Sequence, residues 1–99
     1  MDALSDIDAR RRRIRYRAWH RGFREADLIL GPFVDAHLEQ LDADQTGRLE
    51  RLLDEPDQDL YDWIIGRAPA PAALDDDVLG LIRGFRFDAR LHRTDQGGA

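Results

Sequence analysis

Apolar residues recur along this chain at helical spacing, most cleanly between residues 29 and 41. Ile29, Leu30, Phe33, Val34, Leu38 and Leu41 stand at i, i+1, i+4, i+5, i+9 and i+12, a wide apolar stripe on one side of a helix. Glu25 and Asp27 precede it, where negative charge suits the amide dipoles of a helix start. Pro32 lies inside the pattern and cannot bond the carbonyl of Leu28, so a kink after Gly31 is predicted. Upstream, Ser5 is a good N-cap with Asp8 three residues on, and Ile7, Ile14 and Ala18 share one stripe of a first helix. Tyr16 and Trp19 fall well away from that stripe. A helix apolar on two faces is either clamped between two surfaces or offers one of them to a partner. Gly22 is the predicted break between the two helices.

The same reading continues downstream. Asp42 caps a third helix with Leu49, Leu52 and Leu53 as core positions and Pro56 as its stop. Asp57 caps a short fourth helix carrying Leu60, Trp63 and Ile64, closed by Gly66, and Trp63 belongs to the core. Arg67 to Ala73 is a Pro/Ala connector, extended by its two prolines. A fifth helix begins near Leu74 or Asp75, with Asp75, Asp76 and Asp77 at its start and Val78, Leu79, Ile82, Phe85 and Arg86 along it. No alternating strand pattern and no internal repeat occurs. The predicted fold is all-α, one compact domain of about five helices over residues 1–93, with a disordered tail at 94–99.

Composition narrows the function. At 99 residues the chain has room for one modest core, and 42% apolar against 35% charged residues suits a soluble fold. Cysteine is absent, which removes disulfides, thiolate metal sites and thiol nucleophiles. No apolar run is long enough to span a membrane, and the acidic N-terminus has no signal-peptide core. A cytoplasmic protein that does not insert into membranes is expected. The net charge of -5 is segregated. Residues 1–24 carry eight Arg against three Asp, residues 25–82 carry three Arg against fifteen acids, and residues 83–99 carry four Arg against two Asp. An Arg-rich edge on an acidic body either solvates a helix face or meets a partner of complementary charge.

Catalytic equipment is missing from the pattern. His20, His37 and His92 are not paired at ligand spacing, and His37, beside the apolar stripe, reads as a packed or boundary side chain. Ser5 and Thr46 have no triad context, glycine-rich phosphate loops are absent, and Asp75 to Asp77 lack the spacing of a calcium loop. No metal site and no enzymatic activity are expected. The run Arg10 to Arg13 followed by Ile14, Arg15, Tyr16 and Arg17 suggests phosphate contacts, but a pI near 5.0 opposes nucleic-acid binding.

The segment Arg21-Gly22-Phe23-Arg24-Glu25 is more specific. This RGxxE, followed by Asp27 and Leu28-Ile29-Leu30-Gly31-Pro32-Phe33, resembles the signature of the SdhE-type FAD assembly factors, the succinate dehydrogenase assembly factor 2 family. The likeness extends through Arg51-Leu52-Leu53, the PDxDLxxW element Pro56 to Trp63, and Gly66, covering roughly residues 8–86. One departure is His20, where the family often has a basic residue. The resemblance implies a small all-helical, non-enzymatic chaperone. It would bind the flavoprotein subunit of succinate dehydrogenase, and often of fumarate reductase, and promote covalent attachment of FAD to a histidine there. It would hold no FAD stably itself and be monomeric when free. Partner contact is then expected at Arg21, Gly22, Arg24, Glu25, Asp27, Tyr16 and Trp19. Physical roles fit the types: Gly22 permits left-handed backbone or a close backbone approach, and Arg21 is a five-donor fork suited to a carboxylate or carbonyl cluster on a partner. Glu25 either pairs with Arg21 one helical turn away or faces the partner. The alternative is an unrelated helical interaction module using its Arg-rich helix on an acidic partner or RNA.

Overall fold

The computed structural model describes residues 3–86, so the predicted tail at 94–99 and His92 lie outside the described residues. Helix α1 spans Ala3–Trp19, α2 Arg24–His37, α3 Ala43–Leu53 and α4 Asp57–Ile65, with a 3₁₀ turn at Leu38–Gln40 after α2. A fifth helix, α5, occupies 77–86, and no strand occurs among the described residues. Ile14 and Ala18 of α1 meet Ala26, Leu30, Phe33 and Val34 of α2 in a core completed by Leu49, Leu52, Leu60, Trp63, Ile64, Val78, Leu79 and Ile82. Each fully buried Leu, Ile or Phe contributes roughly 1.5–3 kcal/mol, and this shared core is what stabilises helices this short.

The helix ends correct several expectations by one to three residues. Helix α1 begins at Ala3, so Ser5 lies inside it and is not its cap. Ile7, expected on the buried stripe, is exposed toward the N-terminal end of α1, whereas Ile14 and Ala18 are buried as expected. Helix α2 continues through Pro32. Leu30, Phe33 and Val34 around the proline are fully buried, and their packing outweighs the one lost backbone bond. The apolar stripe outlasts the α-helix, because Leu38 and Leu41 are delivered to the core by the 3₁₀ turn and the residue after it. Asp42 caps α3 as expected, in a reciprocal capping box with Gln45. Pro56, not Asp57, occupies the cap position of α4, and Gly66 closes that helix in left-handed geometry at φ +81°. Asp76 accepts from the Leu79 N–H at 3.0 Å, so α5 starts later than Leu74 or Asp75.

Much of the charge segregation is used within the molecule. Arg10 of α1 pairs with Glu50 of α3 at 2.7 Å, Arg15 with Glu39 at 3.2 Å, and Arg17 with Asp54. At the other end Arg48 of α3 meets Asp77 at 2.8 Å, and its hydrogen bonds, with that of Gln45, hold the Asp77 carboxyl below its ordinary range. Arg83 donates to the Trp63 carbonyl at 2.9 Å and to Asp75 at 3.1 Å, tying α5 to α4. Such solvent-screened pairs contribute little stability, so they orient helices that the core already holds. His37 is half-buried, with its ring 5.1 Å from Phe33 and 5.6 Å from Phe85.

The α1–α2 contact turns on Gly31. The Trp19 indole lies so close across it that an added Cβ would stand 2.4 Å from the ring, and the indole Nε1–H donates to Asp35 at 3.2 Å. Alanine at position 31 gains about 1 kcal/mol of helix propensity but has to displace the ring, an overpacking cost of about 1–3 kcal/mol. Gly31→Ala is therefore expected to lower stability by about 1 kcal/mol and to red-shift tryptophan emission as Trp19 swings into water. Parental melting with unshifted emission would show that the close approach carries no constraint.

Candidate functional site

The link between α1 and α2 is four residues long and held at every position. Gly22 has φ +83°, a left-handed conformation that costs an ordinary L-residue about 1–2 kcal/mol. No atom lies within 4 Å of an added Cβ there, so backbone geometry, not space, requires the glycine. Phe23 is extended and precedes the first turn of α2, with its ring 5.0 Å from that of Tyr61 on α4. Asp27 closes the link by accepting the Arg21 backbone N–H at 3.1 Å, while its own N–H bonds the Phe23 carbonyl at 2.9 Å.

Arg21 points inward. Its side chain is 6% exposed, and its two terminal nitrogens donate to the carbonyls of Leu53 at 2.8 Å and Glu55 at 2.6 Å. These carbonyls stand at and just beyond the C-terminus of α3, where helix geometry leaves acceptors without donors and favours a cation. The Arg21 Nε lies 2.7 Å from Asp57 Oδ1, a charge contact whose N–H is not aligned on the carboxylate. Arg21 therefore does not pair with Glu25, as one expectation had it; it fastens the link to the bend between α3 and α4.

The rest of the motif faces solvent. Gly22, Arg24 and Glu25 are exposed, and among the described residues neither the Arg24 nor the Glu25 side chain makes a hydrogen bond or ion pair. Leu28, one turn further along α2, is 53% exposed. Tyr16 is 66% exposed, with its ring stacked on His20 at 4.2 Å, and His20 Nδ1 lies 2.9 Å from the Tyr16 carbonyl. Between them and the α3–α4 bend lies a hollow of about 220 Å³ lined by Tyr16, Arg17, His20, Arg21, Leu53 and Asp57. Of the seven residues expected at a partner surface, Gly22, Arg24, Glu25 and Tyr16 face outward. Arg21 and Asp27 hold the link, and Trp19 packs across Gly31 of α2 with 37% of its surface still exposed. Sequence reasoning missed Leu28, whose signal was a leucine off the buried stripe, and Asp57, whose signal was its place in PDxDLxxW. An exposed cation, carboxylate, phenol and leucine on a fixed frame suit protein recognition, and no three His, Asp or Glu side chains converge as a metal site among the described residues.

Replacing Arg21 tests its inward role. Arg21→Gln removes the buried charge and strands two carbonyls and Asp57, with an expected loss of about 2–3 kcal/mol in urea unfolding. Arg21→Lys keeps the charge but not the fork and should lose about half as much. Parental stability in both variants would place Arg21 outside the structural frame.

Residues 12–86 match the profile of a family described as the flavinator of succinate dehydrogenase. The chain is 36% identical to the FAD assembly factor SdhE of Acetobacter pasteurianus over 91 residues, 92% of this chain and 81% of that protein. It is 32% identical to the mitochondrial succinate dehydrogenase assembly factor 2 of Dictyostelium discoideum over 80 residues, and 33% identical to assembly factor 2-A of Drosophila mojavensis over 79. It covers 57% and 50% of those two mitochondrial proteins. The matched span runs from α1 to the end of the described part of α5 and contains both the outward-facing link and the bend that anchors it. By that breadth of similarity the chain belongs to the flavinator of succinate dehydrogenase family, the FAD assembly factors.

Proposed function

We propose that this protein binds the flavoprotein subunit of succinate dehydrogenase and promotes covalent attachment of FAD to it, as a chaperone of the step and not its catalyst. The observation that carries this reading is the division of the RGxxE motif. Arg21 is consumed by the fold, while Gly22 on the link and Arg24 and Glu25 in the first turn of α2 are held outward, with no side-chain partner among the described residues. A pre-organised surface loses little conformational entropy on docking. The bond-forming chemistry belongs to the flavin and the protein that houses it. Fumarate reductase, whose flavoprotein poses the same task, is proposed as a second client. A monomer acting in the cytoplasm fits these roles, and no helix among the described residues is long and apolar enough to cross a membrane. The alternative use of the Arg-rich helix on RNA is weakened because Arg10, Arg15 and Arg17 are engaged by Glu50, Glu39 and Asp54.

The deciding experiment co-expresses the flavoprotein subunit with parental protein or Glu25→Ala and reads flavin fluorescence of the denatured flavoprotein band. Glu25 sits exposed in the first turn of α2, so its removal should change stability by only about 0.3–1 kcal/mol while flavinylation falls several-fold. Unchanged flavinylation would remove Glu25 from the docking surface; a matching collapse of stability would make its role structural. A second expectation concerns the cofactor. The chain has no glycine-rich phosphate loop, and most of its body is acidic. Calorimetry of the isolated protein with FAD should show binding no tighter than tens of micromolar, roughly. A submicromolar constant would make it a cofactor carrier instead.

A further inference from the structure

The docking surface is fastened from a distance. Arg21 is nine-tenths buried, yet two of its three hydrogen-bonding groups meet only neutral carbonyls, those of Leu53 and Glu55. A cation out of water needs a counter-charge, and dipoles alone do not supply one. Among the described residues the one carboxylate in ion-pair contact with Arg21 is that of Asp57, 2.7 Å from Nε. Asp57 is the first residue of α4, set there by Pro56 at φ -56°, whose carbonyl accepts the Leu60 N–H at 3.0 Å. Its carboxylate therefore stands on a rigid helix start instead of a mobile arm.

We infer that Asp57 is a positioning residue for the partner-binding surface, acting through Arg21 on the link that carries Gly22 and leads into the α2 turn of Arg24 and Glu25. The inference rests on the proposed docking role of that link. Its physical basis is the conformational freedom of the residue beside Arg21. Gly22 stands in the left-handed region but, as a glycine, reaches other backbone conformations as readily, so the anchors of the Arg21 side chain and the Asp27 bond to the Arg21 N–H select this shape of the link. Without the Asp57 charge the guanidinium gains by turning toward water, through the hollow it already lines with Tyr16 and His20. The backbone of residues 21 and 22 follows, and with it the Asp27 bond that closes the link onto the first turn of α2, the turn that carries Arg24 and Glu25. The RGxxE and PDxDLxxW segments are thus two halves of one device, joined by the Arg21–Asp57 ion pair and the Phe23–Tyr61 ring contact.

The test uses the full chain with Asp57→Asn, its charge-conserving counterpart Asp57→Glu, and Asp59→Asn as control. Asp59 lies in the same first turn of α4, so its loss removes the same helix-start charge without touching Arg21. Amide hydrogen exchange is read well below the melting temperature, together with flavinylation of the co-expressed flavoprotein subunit. Asp57→Asn should speed exchange of the Arg21 amide on the order of tenfold while Leu30 and Leu52 keep parental rates. Flavinylation should fall as it does for Glu25→Ala, Asp57→Glu should restore at least part of both, and Asp59→Asn should leave both unchanged. Parental exchange at Arg21 in Asp57→Asn overturns the inference. So does an increase spread evenly over the core, which marks a purely structural role, and so does a loosened link with full flavinylation while Glu25→Ala is impaired. Full flavinylation by Glu25→Ala as well would overturn the docking reading itself, and the exchange data would still report whether Asp57 orders the link.

Discussion

Everything specific about this small bundle depends on one buried guanidinium. Arg21 leaves α1, crosses to the end of α3 and satisfies carbonyls that no helix donor can reach, with Asp57 of α4 beside it. One side chain thereby joins three helices at the point where the chain also makes its left-handed turn at Gly22. In a domain with few core residues to spare, such a contact does what apolar packing cannot. Apolar packing is non-directional and tolerates small rotations, whereas a planar fork aimed at two carbonyls, with a carboxylate beside it, fixes an angle.

Around that point α1 serves three surfaces at once. Its inner face carries Ile14 and Ala18 into the core, and its flank pairs Arg10 and Arg17 with acids of α3. Its outer side leaves Tyr16 and His20 stacked in solvent. The contact of Trp19 with Gly31 brings α1 against α2 closely enough that the link between them needs only a few residues. A short link has little entropy to lose, which is why the residues on it can be held outward without a partner.

The geometry divides the motif differently from a simple contact patch. A pattern such as RGxxE invites the view that all its fixed positions touch the partner. Here the arginine and the following Asp27 hold the frame, and the glycine permits it. Glu25 and its neighbour Arg24 are left as the polar groups on offer. Loss of function at Arg21 and at Glu25 would look alike in an activity assay while arising from different physics.

The sequence by itself determined the helices, their order and most of the core. The i, i+4 recurrence from Ile29 to Leu41, the capping pair Asp42 and Gln45, and the glycine closing α4 are local chemistry, readable without neighbours. Trp63 in the core and the helix break at Gly22 followed from the same local logic, which left positive φ and close backbone approach both open at that glycine. Tertiary structure decided what local reading leaves open. Only the packed molecule shows that α2 ends at His37 and that a 3₁₀ turn delivers Leu38 and Leu41 to the core, because their burial is non-local. Only it turns Arg21 away from Glu25, since the competing acceptors, Leu53, Glu55 and Asp57, lie far along the chain. Spacing on one helix lists the partners a side chain could have. Burial and the geometry of distant helix ends select among them, because an arginine taken out of water goes wherever its donors and its charge are both answered.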